Sequence, residues 1–276
     1  MELLTEPIVM EFIFLFVGLI LGSFATLLIH RLYYDEPGIV SGRSRCPQCR
    51  EILSPISMIP VFSWLFQQGK CKRCGKKIPV FYPLVELSFG ISYFMLARFF
   101  GGEPAFWWLF GILFFLLVLF WYDVRFMIVD RRISIPAILL AIAWAVYNWF
   151  TGAQDLISVL GGGILIGGFF FVQFFYSRKK AQPWVGAGDT DMGLFLGLCL
   201  GLKLGLLSLF VAYIIGTVYA IGFIVWKIIS LGPSSGKKKS LSKVKVPMGA
   251  FLMPSLWLFL FFGEQIWTWY WDVIIL

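Results

Sequence analysis

Residues 190–226 read TDMGLFLGLCLGLKLGLLSLFVAYIIGTVYAIGFIVW, and the division of these 37 residues decides the fold. As one straight helix they would measure about 55 Å at about 1.5 Å per residue. The hydrocarbon layer of a bilayer is roughly 30 Å thick and is spanned by about 20 apolar residues. The run is therefore too long for one crossing. A break at Gly201-Leu202-Lys203-Leu204-Gly205 divides it into a short first half and a full second span. Other apolar runs lie near 8–29, 84–100, 105–122, 133–150, 156–176 and 250–271. Together they predict eight crossings.

Composition agrees. Of the 276 residues 59% are hydrophobic and 14% charged, and the mean hydropathy is +0.85. Soluble domains run near 45–50% apolar and about 25% charged, so a soluble globular protein is excluded. Thirty Phe and twelve Trp suit lipid-facing and interfacial positions. The formal charge of +8 invites a nucleic-acid reading until the cations are placed. With the N-terminus outside, the inside loops are 31–83, 123–132, 177–189 and 227–249, and they hold 21 of the 23 Lys and Arg. A seven-span count would put Lys237, Lys238, Lys239, Lys243 and Lys245 outside. The positive-inside rule selects eight spans with both termini outside, so the charge reports topology and no nucleic-acid partner is expected. Glu2 and Glu6 stand where a signal peptide carries a basic segment, so the first run is read as a retained span.

The loop 31–83 contains Cys46-Pro47-Gln48-Cys49 and Cys71-Lys72-Arg73-Cys74, four of the five cysteines. Each pair puts two thiolates on one tight turn, and two such turns supply the four-thiolate shell that zinc prefers. A reducing cytosol argues against disulfides. Such a closed site holds a loop together and does no chemistry. Cys199 lies among Leu and Gly and reads as a buried apolar thiol. The lone histidine, His30, stands beside Arg31 at a membrane edge, without a partner nucleophile in the sequence around it.

Acids at membrane depth are functional candidates. Asp123 closes the third run and Asp189 opens the sixth, in Gly186-Ala187-Gly188-Asp189. Both fall near the cytosolic face although 66 residues separate them. Two converging carboxylates share a proton, so one activates water while the other protonates a peptide oxygen. The bland alternative makes both aspartates interfacial helix ends, Asp189 as an N-cap. Asp191 lies about 200° around a helix from Asp189 and cannot share its face. Asp130 reads as a salt-bridged loop residue beside Arg131 and Arg132, and Glu86 as interfacial or lining the site.

In these motifs the chain resembles the type IV prepilin peptidases. Gly22-Ser23-Phe24, Ile29-His30-Arg31-Leu32, the two knuckles, Ile59-Pro60, Ser63-Trp64-Leu65 and Tyr82-Pro83-Leu84-Val85-Glu86 are similar to family segments, as is Pro247-Met248-Gly249-Ala250-Phe251-Leu252. Asp123 matches the first catalytic aspartate and Gly186–Asp189 the GxGD motif. The resemblance implies a bifunctional enzyme of the inner membrane. It would cut the basic leader from prepilins or pseudopilins after a glycine, then methylate the new N-terminal residue with S-adenosylmethionine. Thr26, Ser57 and Met58 replace usual family residues in the half linked to methyl transfer, and Asp191 replaces a common lysine after the GxGD motif.

The expected fold is all-α, a polytopic membrane protein of about eight transmembrane helices with a small cytosolic zinc-binding loop domain. Residues 1–30 form the first transmembrane helix, 31–83 the four-cysteine loop associated with methyl transfer, and 84–276 the peptidase core. Asp123 and Asp189 are the expected catalytic pair, and Cys46, Cys49, Cys71 and Cys74 the zinc ligands. Expected partners are a prepilin or pseudopilin, membrane lipid, and pilus or secretion assembly proteins. Two other classes also fit: a transporter coupling ions through Asp123, Asp189 and Lys203, and a zinc-ribbon scaffold whose aspartates only cap helices.

Overall fold

The computed structural model describes residues 5–38, 42, 44–46, 48–180, 185–231 and 248–275. The lysines at 237, 238, 239, 243 and 245, with Pro247, lie outside the described residues. The elements are α1 (Thr5–Tyr33), a 3-10 turn (Pro55–Met58), α2 (Phe62–Phe66), α3 (Phe81–Phe100), α4 (Phe106–Phe126), α5 (Arg131–Phe150), α6 (Leu156–Ser177), α7 (Ala187–Leu231) and α8 (Gly249–Tyr270). Among the described residues, extended pairing is confined to the bridges Arg45–Ile52 and Lys70–Lys77. Among the described residues, seven helices are long and apolar enough to cross a membrane. The chain is an all-α multi-pass membrane protein.

The seventh helix explains why seven helices provide eight limbs. Gly201 sits at φ 71°, ψ −173°, inside α7, a conformation that glycine reaches without a Cβ penalty. A Cβ on Gly205 would lie only 3.7 Å from the Cα of Gly197. Residues eight apart on a straight helix are about 12 Å apart, so the chain folds back on itself there. The first limb is short, and the break leaves backbone groups needing partners, as it must inside protein at membrane depth. Trp144 Nε1 donates to the Cys199 carbonyl at 3.2 Å, and the Leu202 N–H donates to Ser158 Oγ at 3.3 Å. Lys203, expected near an outer end, lies 3.9 Å from Glu264 and 4.0 Å from the Trp267 ring centroid. It is thus paired away from both aspartates, against the ion-coupling role.

The chain divides into two compact units within α4, at Trp121/Tyr122. In the first unit α1 packs on α3, and the start of α4 joins them through Phe14 against Phe106 and the Tyr93 hydroxyl donating to the Phe110 carbonyl at 2.8 Å. Buried Glu11 pairs with Arg98 at 3.2 Å. Pro83 falls in the first turn of α3, where its missing N–H costs no helical bond. In the second unit α7 packs against α5, α6 and α8. Between the second limb of α7 and α8, the buried hydroxyls of Ser208 and Ser255 satisfy each other at 2.9 Å.

Candidate active site and metal centre

Within the second unit, the end of α4 and the start of α7 bring the two aspartates together. α4 ends just after Asp123: the Met127 N–H closes on the Asp123 carbonyl at 2.8 Å, with Met127 left-handed at φ 55°. Asp130 then caps α5, its Oδ1 accepting from the Arg132 N–H at 2.8 Å. The short turn between them lays Val129 directly over Gly188, leaving no room for a Cβ there. This packing docks the first turn of α7 beside the last turn of α4. The carboxylates of Asp123 and Asp189 lie close enough for the Asp189 charge to act on Asp123.

Each carboxylate is held by backbone amides. Asp189 is the third residue of α7, and its Oδ2 accepts from the Gly186 N–H at 2.8 Å. That is the side-chain half of a capping box. Asp189 is thus not the N-cap residue itself: Gly186 holds that position, and Asp189 reaches back to it from the third helical position, which orients the carboxylate. Asp123 is only 5% exposed, and its Oδ2 accepts from the Ala250 N–H at 3.0 Å, with Gly249 N–H also reaching it. These are the first amides of α8, which lack partners within the helix and carry its positive dipole end. A Cβ on Gly249 would stand 2.7 Å from Asp123 Oδ2 and collide with Met192 Sδ. Among the described residues no cation pairs with either carboxylate.

The other acids lie elsewhere. Asp191 accepts from the Ser134 hydroxyl at 2.7 Å, on the helix face turned from Asp189. Asp130 is bound by Arg132 at 2.7 Å. Partial burial works to raise its pKa, but the hydrogen bonds and charge of Arg132 outweigh this and hold it below the usual carboxylate range. Glu86 belongs to the first unit, where it is buried and accepts from the Val61 N–H at 2.7 Å. His30 faces Glu36 at 3.7 Å.

Two features of the site escaped the sequence reading. The motif at 247–252 carries no role in the sequence, yet within it the helix start at Gly249 and Ala250 holds Asp123. Tyr213, hydrogen-bonded to Gln173, lies within reach of the Asp189 charge. The signal was available: Asp189 and Tyr213 each stand twelve residues from Gly201, so a hairpin at Gly201 brings them to one depth.

The four cysteines of the loop converge in the first unit, with Sγ atoms of Cys46, Cys49, Cys71 and Cys74 all within 4.8 Å of one another. Each CxxC turn has the same build. The Arg50 N–H donates to the Cys46 carbonyl and the Gly75 N–H to the Cys71 carbonyl, both at 2.9 Å. Arg50 and Gly75 are left-handed, at φ 56° and 67°. Arg73 meets Glu51 at 3.0 Å, tying one knuckle to the other. All described cysteines are free thiols. Backbone N–H groups of Cys74 and Arg73 lower the Cys71 thiol to about 7. The Glu51 backbone N–H also favours the Cys49 thiolate, yet desolvation and the neighbouring thiols push Cys49 up to about 11. Four crowded thiols competing for protons are the donor set that a tetrahedral divalent zinc would satisfy.

Residues 16–100 match the Bacterial Peptidase A24 N-terminal domain, and residues 110–221 match the Type IV leader peptidase family. The prepilin leader peptidase/N-methyltransferase of Dichelobacter nodosus is 29% identical, over 96% of each chain. That of Vibrio cholerae is 31% identical over 74% of this chain and 86% of the relative. That of Bacillus subtilis is 30% identical over 76% of this chain and 81% of the relative. No solved structure matches the chain.

Proposed function

Because the chain belongs to the type IV leader peptidase family, we propose that Asp123 and Asp189 are the catalytic pair of a prepilin leader peptidase that also N-methylates its product. The convergence of two uncompensated carboxylates, each fixed by backbone amides, supports this reading. With one proton shared between them, the ionised carboxylate takes a proton from water as the oxygen attacks the scissile carbonyl carbon. The protonated partner gives its proton to the carbonyl oxygen. Collapse of the tetrahedral intermediate breaks the C–N bond, and a proton passes to the leaving amine.

The substrate is a prepilin or pseudopilin, cut between its basic leader and its apolar segment. Basic loops would repel a basic leader, so recognition relies on the apolar segment passing between spans. The enzyme lies in the inner membrane with both termini outside and the loop 31–83 cytosolic, since that orientation puts 21 of 23 Lys and Arg on one side. Functionally the chain divides into a first transmembrane helix at 1–30, a zinc-bound loop at 31–83 serving methyl transfer, and a peptidase core at 84–276. Zinc would be held by Cys46, Cys49, Cys71 and Cys74 as a structural ion. S-adenosylmethionine would supply the methyl group. Among the described residues of the first unit no matching set of groups marks its seat. Glu86 is engaged by Val61 N–H and Ser23, and Arg31 by the Gly38 carbonyl.

The test is cleavage of a prepilin by membranes carrying Asp123→Asn or Asp189→Asn, read beside the product mass. Loss of cleavage in both variants is expected, and a product heavier by one methyl group from the parent enzyme. Intact cleavage in either variant would remove the aspartate pair as the mechanism.

A further inference from the structure

The first unit carries an apolar surface that neither the metal knuckles nor the carboxylate pair uses. Between α1 and α3, the segment Pro55–Phe66 turns its side chains outward. Ile56 is 69% exposed and Phe66 85%, with Met58, Ile59, Phe62 and Leu65 exposed between them. A loop that met only water would rarely keep six large apolar side chains uncovered within one short segment.

The depth of this segment follows from a separate contact. The Val61 N–H, at the joint between the 3-10 turn and α2, donates to Glu86 Oε2 at 2.7 Å. Glu86 stands five residues inside α3, about 7.5 Å along the helix axis from Phe81. Val61 is held at φ 61°, ψ −53°, a conformation that a β-branched residue avoids, so the joint is pinned at this level. α3 has 20 residues, about 30 Å of helix and the thickness of the hydrocarbon layer. A joint about 7.5 Å inside its end therefore lies within the roughly 5–10 Å below the headgroup–acyl boundary at which interfacial segments seat. The apolar side chains fan out from that joint. Lys70, Lys72, Lys76 and Lys77 follow on the same loop, all exposed, and suit the anionic headgroups of a cytoplasmic leaflet.

We propose that Pro55–Phe66 is an interfacial membrane anchor, seated at the headgroup–acyl boundary of an anionic bilayer and holding the four-cysteine loop against it. The loop is tethered to spans at both ends, so docking is intramolecular and needs no large area. The inference rests on the spanning of α1 and α3 and is independent of the peptidase chemistry.

The experiment places a benzophenone amino acid at Phe66 or at Phe210 of the full-length protein. Phe210 is a 63% exposed residue of the second limb of α7 and serves as the lipid-facing reference. Each variant is illuminated in nanodiscs of phosphatidylethanolamine and phosphatidylglycerol, with and without a prepilin peptide, and adducts are read by mass spectrometry. Lipid adducts at Phe66 in yield comparable to Phe210, persisting with the peptide present, are expected. Two results overturn the proposal: no lipid adduct at Phe66 while Phe210 gives one, or peptide adducts replacing lipid adducts, which would assign the face to the substrate. Zinc content equal to the parent establishes that the variant has folded its loop.

Discussion

Gly249→Ala tests how Asp123 is positioned without touching a carboxylate. The added Cβ would stand 2.7 Å from Asp123 Oδ2, where ordinary contact begins at 3.4 Å, so the carboxylate must retreat by about 0.7 Å. Met192, whose Sδ and Cε would lie 2.4 and 2.6 Å from the same Cβ, must shift as well, but its flexible end moving aside does not relieve the carboxylate. The retreat also lengthens the hydrogen bond from the Ala250 N–H, now 3.0 Å. A misplacement of about 1 Å can cost about a hundredfold in rate, and a hydrogen bond to a charged group contributes about 1.5–3 kcal/mol. The expected loss is therefore about 10–100-fold in kcat, with KM nearly unchanged, since no substrate-binding group is removed. Helix propensity runs the other way, alanine being the better helix former, so a fall in rate is not a failure of α8. The assay is steady-state cleavage of a synthetic prepilin peptide in nanodiscs. A kcat equal to that of the parent would refute the idea that the start of α8 positions Asp123.

Asp123→Asn and Asp189→Asn should each lower cleavage by about 10²–10⁴-fold, measured on the same peptide. Asp191→Asn should lower it far less, because its carboxylate is spent on Ser134; an equal loss would mean that the pair is wrongly assigned. Purified protein should carry about one zinc per chain by elemental analysis, and Cys71→Ser should reduce it, whereas an oxidised, metal-free loop would contradict the thiolate centre. Asp130→Asn should keep the α5 cap, because asparagine caps as well as aspartate, and lose only the charge beside Arg132 and the helix N-terminus, about 0.3–1 kcal/mol. The folded-state pKa of Asp130 is depressed, so its charge stabilises above the unfolded value of about 3.9. The difference between parent and variant should therefore shrink as the pH falls through the depressed folded value. Thermal unfolding in detergent at several pH values reads this directly.

Much of the chemistry was legible because it is local or follows from water. Apolar runs report spans by their length, and the cations report a side by their number. The two CxxC pairs report their own turns, which fold to the same left-handed geometry in both knuckles. The break in residues 190–226 was readable from length alone, and the structure places it at Gly201. The surroundings of the aspartates were less legible. Glycines at 186 and 188 let backbone approach closely, and the sequence allows either a substrate segment or a facing helix there. Gly188 instead receives Val129 from the turn after α4, and the Gly186 amide binds Asp189 itself. Glu86 looked like a lining group, yet its partner is the Val61 amide in its own unit, 25 residues away.

By itself the amino-acid sequence determined that this chain lives in a bilayer, where its four thiols gather, and which two acids to bring together. Each of these depends on hydropathy, charge or short spacing, and such properties act on a segment whatever surrounds it. Only the tertiary structure decided that Asp123 is held by the start of α8, 127 residues away. It also decided that Tyr213 reaches the depth of Asp189 and that an apolar joint is pinned one and a half turns inside α3. Those contacts depend on which helix faces pack together, and in a chain whose helices are apolar nearly all round, periodicity leaves that choice open. Close packing of small residues and hydrogen bonds to free helix ends make it.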